Sequence, residues 1–169
     1  EKLQAMQLRE IENSFAMFQK EYIASELNKQ LQPYKVESNA QNFEAKQLRE
    51  RLQLFEGQKE INQSELQLLK TDVERYEKLF KKGVISAQEI EKQRLIYLQA
   101  EKNYKSLLSS ISQLKSSINE LNRNSKTTVI NESTTSINLE RSVMQSFYQL
   151  KKAIKDWELN YVFRSSVKG

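Results

Sequence analysis

The sequence predicts an all-α protein, a long antiparallel coiled-coil hairpin with interrupted arms, and three observations predict it. The 169 residues hold 3 Gly and 1 Pro, too little turn chemistry for a sandwich, a barrel or a many-stranded sheet. Only 38% of residues are apolar while 29% are charged, the balance of helices that bury a narrow stripe. Two apolar heptad series also flank one short segment that closes a helix and opens another.

The elements follow in order. A first stripe, Leu8, Ile11, Phe15, Phe18 and Tyr22, gives a helix over about 2–31, which Pro33 should stop. Ser38 with Gln41 could cap a second helix over about 38–82. Its seam alternates steps of three and four through Ala45, Leu48, Leu52, Phe55, Lys59, Asn62, Leu66, Leu69, Val73, Tyr76 and Phe80. Gly83 is the expected left-handed residue after that helix, and Val84 supplies the apolar contact that often follows. Ser86 and Glu89 then form a capping box that opens a third helix over about 86–123. Its seam runs through Ile90, Gln93, Tyr97, Ala100, Tyr104, Leu107, Ile111, Leu114, Ile118 and Leu121. A helix stop directly followed by a helix start makes residues 81–88 the tip of a hairpin.

Antiparallel arms require facing layers whose residue numbers have a constant sum. Tyr76 with Ile90, Leu69 with Tyr97, Leu66 with Ala100, Phe55 with Ile111, Leu52 with Leu114 and Leu48 with Ile118 meet that condition. The segment from Asn122 to Ser136 is polar and β-branched in places and is expected to be a break, a loop or a frayed helix. A last helix over about 134–158 carries Val143, Phe147, Leu150, Ile154 and Trp157. Pairing these with the first stripe gives a sum one lower, so the first helix should pack antiparallel on the last. Residues 1–159 thus form the hairpin, with 2–31 and 134–158 at its base, and 160–169 read as the start of a truncated β strand. Two seam layers are weak, Lys59 with Leu107 and Asn62 with Tyr104, beside Gly57. They read as a snorkelling Lys and a register-setting Asn, or alternatively as a flexible point along the arm.

Composition also narrows function. No Cys and no His leaves no disulfide, no Cys/His zinc site, no thiol nucleophile and no imidazole base. An oxidising compartment is compatible with the lack of cysteine. There is no glycine loop for phosphate and no paired carboxylates in an apolar setting, so no catalytic residue, metal or cofactor is expected and the chain does not read as an enzyme. The charge of +5 comes from 27 Lys and Arg against 22 Asp and Glu, interleaved rather than gathered on a face, which does not suit nucleic acid. No run of about 18 apolar residues is present, so no segment is expected to span a bilayer, and no signal peptide is seen. Glu1 lies inside an amphipathic pattern and Gly169 follows an extended one, so the chain reads as a fragment.

The tip carries a resemblance. In Arg75-Tyr76-Glu77-Lys78-Leu79-Phe80-Lys81-Lys82-Gly83-Val84-Ile85-Ser86-Ala87-Gln88-Glu89, an Arg is followed four residues on by Leu and seven after that by Ser. This resembles the hairpin-tip signature of periplasmic adaptor proteins, or membrane fusion proteins, of the hemolysin-secretion type. The stretch from Trp157 to Phe163 resembles that family's return into its lipoyl-like β domain, although Ser165 and Ser166 stand where Ala and Pro are usual. The resemblance implies a periplasmic adaptor of a Gram-negative bacterium, anchored at the inner membrane, bridging an inner-membrane transporter of ABC type to a TolC-like outer-membrane channel for type I secretion or efflux. It also implies self-association, commonly as a hexamer, with no nucleic acid partner. Arg75, Leu79 and Ser86 would carry docking, supported by Lys82, Gly83 and Ile85. The competing reading is a structural or tethering coiled coil that binds partner helices, distinguished by what precedes residue 1 and follows residue 169.

Overall fold

A computed structural model describes residues 2–161. Three α-helices account for nearly all of them: α1 (Lys2–Leu31), α2 (Pro33–Lys81) and α3 (Ala87–Tyr161). No strand is present among the described residues. The chain divides into two compact units, Ala40–Ser125 and Glu1–Asn39 with Lys126–Gly169.

In the unit of residues 40–125, α2 and α3 form the expected hairpin. Ala45, Ile90, Ile111 and Ile118 are buried, and the other seam positions from Leu48 to Tyr76 and from Gln93 to Leu121 are half-buried. Polar pairs beside the seam report the register independently. Arg49 Nη2 donates to Asn122 Oδ1 at 2.8 Å, and Arg94 Nη2 donates to Glu77 Oε1 at 2.9 Å. Lys115 Nζ lies 2.9 Å from Glu56 Oε1. The three pairs share one constant sum of residue numbers, as a single antiparallel register requires, and all six residues directly follow seam positions. The Lys115 ammonium holds the Glu56 carboxyl below its ordinary range. Lys59 and Asn62 are half-buried in the seam, and α2 runs through Gly57 without a break.

Two boundaries correct the sequence reading. The second helix starts at Pro33, not near Ser38, after a single-residue break. Gln32 adopts φ 42°, and its carbonyl accepts from Lys35 and Val36 N–H at 3.0 and 3.2 Å. The ring of Pro33 supplies a ready helical φ at the first position, where an N–H has no intrahelical partner to lose. The expected interruption at 122–136 is absent, because α3 passes straight through it. The seven-residue spacing of the seam continues through Ser125 and Glu132 to Leu139, Ser146 and Ala153, all covered. Apolar periodicity fades there although burial does not. Cross-helix hydrogen bonds replace apolar contact: Ser125 Oγ to Asn42 Oδ1 at 3.4 Å in one unit, Tyr34 Oη with Thr135 Oγ1 at 3.1 Å in the other.

In the unit formed by residues 1–39 and 126–169, α1 packs on the C-terminal part of α3, and the rings of Phe18 and Phe147 meet with centroids 5.9 Å apart, as paired in the sequence. The buried residues are small: Ser25, Thr128, Ser146 and Ala153. The apolar stripes read from the sequence are covered only in part. Ile11, Phe18, Val143, Leu150 and Trp157 are half-buried, while Leu8, Phe15, Tyr22, Phe147 and Ile154 are exposed and the neighbouring Gln7, Ser14 and Glu21 are half-buried in their place. Asn160 and Tyr161 are helical rather than extended, and the rest of the expected strand lies outside the described residues.

Candidate functional site: the hairpin tip

The tip follows from two local motifs. At the end of α2, Gly83 N–H donates to the Phe80 carbonyl at 2.9 Å and Val84 N–H to the Leu79 carbonyl at 3.0 Å. This is a Schellman closure, in which two otherwise orphaned carbonyls are satisfied. It needs a left-handed residue at Gly83, whose φ is 71°, a conformation costly to any residue with a Cβ. Three residues later the capping box forms in full. Ser86 N–H donates to Glu89 Oε2 at 2.8 Å, Ser86 Oγ donates to the same oxygen at 3.1 Å, and Glu89 N–H donates to Ser86 Oγ at 3.2 Å. The Ser86 backbone bond, and then its hydroxyl, hold the Glu89 carboxyl below its ordinary range. Ser86 therefore has a structural role at the start of α3, as its position in the sequence suggests.

The structure brings Leu79, Gly83 and Ser86 into one turn and sets Arg75 one helical turn behind Leu79, on the same side of α2. Arg75 is exposed and its guanidinium pairs with the Asp72 carboxylate. The sequence reading overlooked this partner, although an acid three residues before an Arg on a helix signals it. Leu79 and Ile85 are half-buried, while Lys78, Lys81 and Lys82 are exposed. Phe80 departs from expectation. The heptad spacing makes it the last seam position, but its side chain is 44% exposed and Val84 is 66% exposed. In the register of the arms Phe80 would face Ser86, where α3 has not begun, so nothing covers it. The result is an apolar spot of Phe80 and Val84 ringed by lysines, with the Glu77–Arg94 ion pair tying the two arms just behind it.

Chemically the tip presents hydrogen-bond donors, positive charge and a small apolar surface. Among the described residues no group of His, Cys, Asp or Glu could hold a metal, and no helix is long and apolar enough to cross a membrane.

No curated protein and no solved structure matches the chain. Residues 51–121, which hold the tip and the adjoining parts of both arms, match the family model described as RND MFP, alpha-helical hairpin domain. Proteins of that family are structural adaptors of the Gram-negative periplasm, associated with an outer-membrane channel and an inner-membrane transporter. The match covers less than half of the chain, centres on the tip derived above, and supports the membrane fusion protein adaptor family for this hairpin.

Proposed function

We propose that this chain is the hairpin of a periplasmic adaptor in a tripartite export system, and that its tip docks on the periplasmic end of a TolC-like channel. The observation that carries the reading is the placement of Arg75, Leu79 and Ser86 around a closed helical reversal within a family-matched hairpin. Arg75 offers a planar fork of donors for backbone carbonyls or carboxylates on the channel, a geometry Lys lacks. Leu79, with the exposed Phe80 and Val84, supplies the few apolar anchors on which small interfaces depend. Ser86 caps α3, Gly83 fixes the reversal, the half-buried Ile85 lies between them, and Lys82 adds to a positive field that steers association with an acidic surface.

In this reading the full protein is anchored at the inner membrane, continues after the hairpin into a lipoyl-like β domain, works beside an ABC transporter as in hemolysin-type secretion, and assembles as a hexamer. A second reading of the transporter, an RND pump, is favoured by the matched family model.

Cysteine placed at position 75 tests the docking by cross-linking to envelope proteins of the host, and the transporter recovered with the complex decides between the two classes. Arg75→Asp and Leu79→Ser are expected to abolish export while helicity and Tm stay near those of the parent. Export that survives both substitutions removes docking from the tip.

A further inference from the structure

The face of α2 turned away from α3 carries a second heptad seam. Leu54, Ile61 and Leu68 recur at seven-residue intervals with 74%, 69% and 69% of their surface exposed. Gly57, Ser64 and Thr71 interleave them, so that steps of three and four alternate along the whole stretch. Such a row is the pattern of a coiled-coil contact, and the seam against α3 is already filled by other residues. Its polar members carry little cost to cover. Ser64 Oγ donates to the Glu60 carbonyl and Thr71 Oγ1 to the Gln67 carbonyl, each at 3.0 Å, so neither hydroxyl loses a partner when water leaves. A methyl group built on Gly57 meets nothing within 4 Å, leaving room for a close neighbour.

The outer face of α3 carries a complementary row: Leu95, Leu98, Lys102, Lys105, Ser109 and Ser112, all exposed and again alternating steps of three and four. The two rows point away from the hairpin's own seam, so a chain cannot satisfy one with the other. We infer that they meet between copies, α2 of one chain lying antiparallel on α3 of the next with tips level. Level tips impose the constant sum that relates the two arms, and the rows then fall into layers. Leu68 meets Leu98 and Thr71 meets Leu95 nearest the tip. Ile61 and Ser64 lie under the stems of Lys105 and Lys102, whose ammonium groups reach Glu60 and Glu65. Leu54 and Gly57 meet Ser112 and Ser109, large against small. The flanks of the α2 row carry Glu60, Glu65, Asp72 and Glu74 against the single Arg51, and Asp72 pairs with Arg75, which follows the row towards the tip; the acidic excess matches the lysines opposite. Because each copy offers one row on either side, the contact is heterologous and repeats around a ring.

This surface deepens the self-assembly in the reading above and rests on it for the levelling of the tips. The test is disulfide cross-linking in the intact protein in its native envelope, since the 169 residues contain no cysteine. Leu68→Cys with Leu98→Cys in one chain is expected to give a ladder of multimers, while Leu68→Cys alone gives none. Leu68→Cys with Lys105→Cys, displaced by one heptad, is expected to give at least tenfold less. Dimers from Leu68→Cys alone, equal yield from the displaced pair, or no multimers from the matched pair each overturn the seam. Cross-linking from position 75 to the channel reads the docking separately, so either idea can fail while the other stands.

Discussion

The two units bury different kinds of residue. Between Ala40 and Ser125 the closed positions are Ala45, Ile90, Ile111 and Ile118, whereas in the other unit they are Ser25, Thr128, Ser146 and Ala153. Aliphatic seam residues advertise themselves in a sequence and hold helices at ordinary coiled-coil spacing. Small seam residues let the backbones approach, and the large neighbours one position away then line the flanks of the contact instead of filling it. Phe147 and Ile154 are exposed, while Ser146 and Ala153 beside them are buried, the contrast that such a contact produces.

Substitutions of opposite kind sharpen this contrast. Ile111, 5% exposed, sits in an aliphatic layer, and Ile111→Ala is expected to lose about 2–5 kcal/mol through the cavity left behind. Chemical denaturation followed by circular dichroism reads the change, and a loss below about 1 kcal/mol breaks the idea of a tightly filled seam in this unit. Ser146→Leu addresses the other unit, where added volume in a close contact is expected to cost about 1–3 kcal/mol. A neutral or stabilising result would show that α1 and α3 are not in close approach at Ser146.

Smaller effects belong to the helix ends. Gln32 holds a left-handed φ that glycine adopts freely, so Gln32→Gly is expected to stabilise the protein by up to about 1 kcal/mol, seen as a raised Tm. A lowered Tm would show that the Gln32 side chain contributes more than its backbone strain costs. The tip responds to pH through Glu89. Its carboxyl is held below the ordinary value of 4.5, so the capping contribution is complete above that value and is lost as pH falls through the lower, folded-state value. The protection of the amides at residues 86–90 against exchange, taken relative to their intrinsic rates at each pH, is expected to fall below pH 4.5 and to stay level above it. Ser86→Ala should lessen this pH dependence without abolishing it, since the backbone N–H at position 86 still reaches Glu89, and should weaken the cap by about 1 kcal/mol.

Much of the tip was legible because its signals are local. A left-handed glycine followed by an S-x-x-E box closes one helix and opens another through bonds spanning only a few residues, whatever the rest of the chain does. The register of the main arms was legible too, since two aliphatic stripes admit one antiparallel alignment, and the Arg49–Asn122, Glu56–Lys115 and Glu77–Arg94 pairs obey it. The stretch from Asn122 to Ser136 was misread because its seam is written in Ser, Thr and Glu, and an apolar count cannot see a heptad built from polar residues. The exposure of Phe80 was missed because periodicity does not show where the opposite arm ends.

The sequence by itself therefore determined the all-helical class, the place of the reversal and the alignment of the long arms, because backbone capping and aliphatic burial are set by residue type and spacing. Only the tertiary structure decided which side of α1 and of the C-terminal half of α3 is covered, that α3 continues unbroken to Tyr161, and that Leu54, Ile61 and Leu68 lie open to solvent. Those outcomes depend on how closely two helices approach and where one arm stops covering the other, and distances of that kind are properties of the packed pair, not of either helix alone.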